Sequence, residues 1–185
     1  MPFDSKVYGS RVAQILALDQ DGNRLIPLVS GRCSPKGAIA LLAQQKASDL
    51  FSRANAPDAG WAGLWVYFSC FEQGHEAAQE ISTPEGSFWH GILHRQEPDA
   101  GNAAYWFRQV GAHPIFPALA EAASDIAARQ AQAGFRASSR WDPFYFIDYC
   151  ERARQVPGDA ARQAALEIQR AEWQLLFDYC ARPRS

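Results

Sequence analysis

Apolar residues recur at helical spacing along nearly the whole chain, and no stretch sustains the alternation that a strand needs. The clearest case lies near the C-terminus. There Ala164, Ile168, Ala171, Leu175 and Tyr179 share one face of a helix expected from about Asp159 to Ala181. A chain of this kind buries its apolar stripes by packing helix on helix. The expectation is an all-α fold, a single-domain bundle of about seven or eight helices covering residues 1–185. With 48% apolar and 12% aromatic residues, 185 residues can form a core without metals or disulfides as staples.

Capping residues, prolines and glycines set the expected boundaries. Asp4 or Ser5 caps a first helix to about Leu18, with Val7, Val12, Ile15 and Leu16 inward. Asp19 to Asn23 is a turn, and Pro27 makes Leu25 to Val29 an extended connector, because proline donates nothing to a ladder. Ser34 and Pro35 open a helix to about Phe51, and Asn55 to Gly60 is a loop. A third helix carries Trp61, Trp65 and Phe68, and its wheel extends to Glu72 and His75, with Gly74 as its end or kink. Thr83-Pro84-Glu85 combines a cap, a first-position proline and a first-turn acid. That helix ends near Gln96, since Pro98 takes Glu97 out of helical geometry. Asp99 caps the next helix and Gly111 stops it. An alanine-rich helix follows from Pro114 to about Gln132, then a linker from Gly134 to Arg140, then a helix from Asp142-Pro143 to Arg154. Asp148-Tyr149-Cys150-Glu151-Arg152 echoes Asp178-Tyr179-Cys180-Ala181-Arg182, but two copies are not a repeat array.

Charge and cysteine usage narrow the function classes. A net charge of -2 with no clustered Lys or Arg speaks against nucleic acid and against anionic membrane surfaces as partners. The apolar runs are far short of a membrane span, and the N-terminus lacks a basic region followed by an apolar run, so a cytoplasmic protein is expected. Cys33, Cys70, Cys150 and Cys180 form no CxxC pair. They read as reduced core thiols in preference to a zinc knuckle or a disulfide framework.

Chemically capable side chains concentrate between Phe88 and Pro114, which hold three of the four histidines. His90, His94 and Glu97 fall within roughly 60° of one another on a helix. Histidines at i and i+4 can offer two imidazoles to one divalent metal ion, and a carboxylate completes a set suited to Zn or Fe. Glu72 and His75 are further donors at Glu-x-x-His spacing, though one such motif is too few for a di-iron centre. His90, His94 and His113 are equally candidates for general acid–base work. Arg95, Asp99, Asn102, Tyr105 and Arg108 are candidates for holding an anionic small molecule by charge-assisted hydrogen bonds.

Each of these residues also has a plain structural role open to it. Asp99 suits an N-cap, Asn102 can brace the turn after Gly101, and Arg95 can pair with Glu97 or Asp99. Buried histidines can simply donate to backbone carbonyls. No GxSxG, Walker-type loop or strand-linked GxGxxG is present. Two classes therefore stand side by side. One is an enzyme or binding protein with a pocket between the Thr83–Gln96 and Asp99–Val110 helices. The other is a non-catalytic helical interaction or structural protein in which the polar cluster is a helix-locking network beside an aromatic core, with a surface open to homodimer formation.

The segment from Trp89 to Pro114 resembles the signature of a family of uncharacterised bacterial and fungal proteins, of the form WH…HR.E.D..NA.YW.R..G.HP. The matching positions are Trp89, His90, His94, Arg95, Glu97, Asp99, Asn102, Ala103, Tyr105, Trp106, Arg108, Gly111, His113 and Pro114. The resemblance implies a shared site in this stretch and names no chemistry for it. It does not extend to Glu72 or His75.

Overall fold

The computed structural model describes residues 3–155 and 160–184 of the chain. Among them are ten α-helices, three short 3-10 turns and no strand. The count exceeds the expected seven or eight because two expected helices are each broken in two, at residues 44–46 and 68–70.

The N-terminal part is less regular than its periodicity suggests. A 3-10 turn at Ser5–Tyr8 precedes α1 (Ser10–Leu16). Gly9 separates them at φ +98°, a conformation open to glycine. Asp4 caps the turn, accepting from the Lys6 amide at 3.0 Å. The connector after residue 23 is extended, as the proline requires, and pairs with no strand. Its carbonyls are met by side chains instead. Gln169 Nε2 donates to Ile26 and Pro27 at 2.8 and 3.0 Å. Gln96 Nε2 also donates to Pro27, and Arg154 Nη1 donates to Leu28.

Pro35, not Ser34, is the N-cap of α2 (Lys36–Ala43), and a separate short helix α3 (Ala47–Leu50) follows. The expected loop from Asn55 to Gly60 is already half helix. Pro57 takes the first position of α4 (Pro57–Tyr67), with Asp58 in its first turn.

The main correction concerns the stripe from Trp61 to His75. It does not lie on one helix: α4 stops at Tyr67, Ser69 adopts φ +57°, and α5 (Phe71–Gln79) begins afresh. The connector imposes the break by taking the carbonyls a longer helix would use. Arg24 Nη1 donates to the Tyr67 carbonyl at 3.0 Å, the Ser34 amide to the Phe68 carbonyl at 3.0 Å, and Arg24 Nη2 to Ser69 Oγ at 2.9 Å. Cys33 is disulfide-bonded to Cys70 at the same junction, so the expectation of four reduced thiols is wrong for this pair. Cys150 and Cys180 are free and buried. Gly74 ends nothing: it is buried inside α5, where a Cβ would sit 3.6 Å from Leu93.

The middle of the chain follows its capping signals. Helix α6 (Pro84–Gln96) has Pro84 at its start, and α7 (Ala100–Val110) is capped by Asp99, which accepts from the Asn102 amide at 3.0 Å. Gly111 ends α7 at φ +62°. Then come α8 (Phe116–Arg129), α9 (Pro143–Gln155) and α10 (Ala160–Ala181). The expected start of the last helix at Asp159 lies outside the described residues.

Helix α6 is central: every residue from Gly86 to Gln96 is buried. Helices α4, α5 and α7 pack on it, and α10 reaches it through charged side chains. Trp89 and Trp173 are fully buried at this centre, where truncating either would cost about 3–5 kcal/mol. Close approach is bought by absent side chains: a Cβ at Gly63 would lie 2.7 Å from Trp89. A second cluster, built from Leu119, Ile126, Phe146, Tyr149 and Ile168 among others, joins α8, α9 and α10. No helix among the described residues is long and apolar enough to cross a membrane.

Candidate functional site

Helices α6 and α7, between which a pocket was expected, pack closely at Gly91. A Cβ at Gly91 would meet the Phe107 ring at 2.7 Å, so that aromatic side chain fills the space between them. The residues singled out in the sequence instead divide among three places.

Arg95 is in the core. It is 1% exposed and is ion-paired with Glu172 of α10, which is fully buried. Its Nη1 lies 3.2 Å from Glu172 Oε1, its Nη2 donates to Glu172 Oε2, and Gln169 Oε1 accepts at 3.2 Å. The guanidinium stands 4.5 Å from the centre of the Phe146 ring. Burial works against this charge, but the Glu172 carboxylate outweighs it and holds the pKa above the ordinary arginine value. With its charge matched this way, Arg95 fastens α6 to α10, and its Nε alone is left without an acceptor. The expected partners Glu97 and Asp99 play no part in this pair. Asp99 acts as the N-cap already described, while Asn102 and Tyr105 are exposed on α7.

Three histidines meet on the other side of α6. His75 of α5 stands edge-on to His90 and His94, with ring centroids 4.8 and 5.3 Å away. His90 and His94 are stacked one turn apart at 6.0 Å, and Trp106 of α7 lies flat against His90 at 4.0 Å. His94 Nδ1 is 3.1 Å from Glu97 Oε2. His90 is 1% exposed, and neither ring nitrogen has a partner in hydrogen-bonding geometry. Burial first, then the neighbouring His75 and His94, push its pKa down to about 4. The Gly86 carbonyl one turn back offsets only part of this. His90 is therefore neutral at ordinary pH. Among the described residues no three His, Cys, Asp or Glu side chains converge to hold a metal ion. The expected ligands His75, His90, His94 and Glu97 are thus neighbours without forming a coordination set. Glu72 itself is exposed on α5.

The third place is a cleft of about 740 Å³ at the far end of α7. Its lining comes from the end of α7, the turn holding His113, the start of α8, and residues 139–144 before and at the start of α9. Arg108 and Arg140 both line it. Neither guanidinium has a hydrogen-bond or ion-pair partner among the described residues. Trp141 is 9% exposed, and its indole N–H lacks an acceptor. The lining contains one carboxylate, Asp142. It is engaged as the cap of α9, accepting from the Phe144 and Tyr145 amides at 2.9 and 3.1 Å. Phe107, Phe116 and Phe144 supply apolar walls.

His113 forms part of that wall and is buried against Phe88, Phe116 and Tyr179. Its Nδ1 accepts from the Ile115 amide at 3.4 Å, which places the proton on Nε2. Glu85 Oε1 is 3.7 Å from Nε2, too far for a hydrogen bond. Burial lowers the His113 pKa despite the opposing pull of Glu85.

Of the sequence-derived candidates, then, the structure brings His75, His90, His94 and Glu97 together and sets Arg108 and His113 apart from them. Arg140 and Trp141 escaped sequence reasoning because Gly134 to Arg140 read as a linker. The signal available was Asp142-Pro143, a helix start that fixes the residues just before it. No family model, curated protein or solved structure matches the chain.

Proposed function

We propose that this protein binds a small anionic molecule, a carboxylate or phosphate on a flat apolar body, in the cleft between α7, α8 and the start of α9. One observation carries the reading: Arg108 and Arg140, neither with an ion-pair partner among the described residues, line one cleft whose single carboxylate, Asp142, is engaged as a helix cap. Guanidinium groups hold an oxyanion by charge-assisted hydrogen bonds, and Trp141, on the same cleft, carries a buried indole N–H without an acceptor. The phenylalanine walls suit an aromatic or aliphatic body, and the volume lies in the range of small-molecule sites.

Thermal-shift measurements with phenyl phosphate, benzoate and phenol test the proposal. The charged probes should raise the melting temperature of the wild-type protein and leave an Arg108→Gln/Arg140→Gln variant unmoved, while phenol does neither. The larger shift identifies the preferred head group. Equal shifts from phenol and the anions, or shifts that survive in the variant, would overturn it.

The non-catalytic reading has an observation of its own. Arg95, Glu172 and Gln169 form a buried polar network that ties α6 to α10 and, through Gln169, to the connector. That network accounts for Arg95 and leaves the buried Trp141 N–H of the cleft without an acceptor.

A further inference from the structure

A second groove, of about 480 Å³, lies between α4 and α5 on a different part of the surface. One wall is Asp58, Trp61 and Trp65, at i, i+3 and i+7 on α4. The other is Gln73, Glu76, Ala77 and Glu80, at the same kind of spacing along and just beyond α5, with Ile81 closing one end. The break at residues 68–70 makes this possible, because a single continuous helix could not place these two faces opposite each other.

Three features of the groove point the same way. Asp58, Glu76 and Glu80 have no hydrogen-bond or ion-pair partner among the described residues, and no lysine or arginine lines the groove. Trp61 and Trp65 meet edge to face, with ring centres 5.6 Å apart. Trp65 is 3% exposed, yet its indole N–H has no acceptor, and the Trp61 N–H is also buried without one. Indole faces attract a cation through their quadrupole, best when it is weakly hydrated. The carboxylates add Coulombic attraction of the same sign. The indole N–H groups call for an acceptor on the same ligand.

We infer that this groove binds an alkylated ammonium group carrying a hydrogen-bond acceptor, the chemistry of a quaternary amino alcohol. The cation rests against the tryptophans between the carboxylates, and the acceptor takes an indole N–H. The site is separate from the arginine-lined cleft and stands or falls independently of it.

Choline is the probe, and its uncharged tert-butyl isostere, with carbon in place of nitrogen, is the control. Saturation-transfer NMR and tryptophan-fluorescence titration on the full chain should show choline binding and the isostere binding at least about tenfold more weakly. A Glu76→Gln/Glu80→Gln variant changes exposed side chains only and should keep its fold by circular dichroism. It should weaken choline binding by about tenfold and leave the isostere unaffected. Trp61→Phe retains an aromatic face but not the N–H, and should weaken choline more than tetramethylammonium, which has no acceptor. No choline binding, equal binding of choline and isostere, or unchanged affinity in the double glutamine variant would each overturn the inference.

Discussion

Acidification should destabilise this protein through His90, and the size of the effect follows from where the ring sits. The folded state holds its pKa down to about 4 against an ordinary 6.5, because the ring is buried and faces the imidazoles of His75 and His94. Between those two values the unfolded chain takes up a proton that the folded chain refuses. A base with a depressed folded pKa contributes its full stability above about pH 6.5 and loses it as the pH falls towards 4. The whole shift corresponds to about 3 kcal/mol, of which about 2 kcal/mol is lost between pH 7 and pH 5. His113, also depressed by burial, adds to the loss with the same sign. A His90→Gln comparison isolates the first contribution. Urea denaturation of both proteins at pH 7, 6 and 5 should give a stability difference that shrinks by about 2 kcal/mol on acidification. Parallel pH dependences in the two proteins would show that His90 is already protonated, or already paired, in the folded state, and the reasoning would fail.

Arg95→Leu leaves Glu172 buried without its partner, and urea denaturation should register a loss of about 3–5 kcal/mol. The Arg95→Leu/Glu172→Leu double variant should lose clearly less than the two single losses added together. Alkylation of denatured, unreduced protein followed by mass spectrometry should label Cys150 and Cys180 alone, and reduction beforehand should raise the number to four. Replacing Cys33 and Cys70 by serine opens a link across a separation of 37 residues and should lower stability by about 2–4 kcal/mol. Gly91→Ala should cost about 1–3 kcal/mol, since its methyl group would enter the Phe107 ring.

The contrast between α6–α7 and α4–α5 shows where sequence reasoning holds. Thr83-Pro84-Glu85, Asp99 and Gly111 act within one turn of themselves, so the boundaries they mark are legible in the chain. The break after Tyr67 is decided by Arg24, Cys33 and Ser34, more than thirty residues away, and helical periodicity runs straight through it. His75 reaches His90 all the same, but on a separate helix and not as the end of a continuous stripe. The binding candidates divided for a similar reason. Arg95 and Arg108 are both cations within one motif, and nothing local shows that Glu172 and Gln169, on the last helix, will claim the first and leave the second free. Arg140 and Trp141 come to line the same cleft as Arg108 only through tertiary packing, which no spacing rule encodes.

The presence of the disulfide also bears on the expected cytoplasmic setting, since reducing compartments disfavour such bonds. Mass spectrometry on protein taken directly from its source, alkylated before lysis, would show whether the bond exists there.

The central claim is that the donors of the cleft await an anion. Isothermal titration of phenyl phosphate into the wild-type protein and into the Arg108→Gln/Arg140→Gln variant, each at low and at high salt, tests it most directly. Saturable one-to-one binding to the wild type, weakened by salt and reduced at least about tenfold in the variant, is the predicted result. Binding that is absent, or equal in the two proteins, would contradict it.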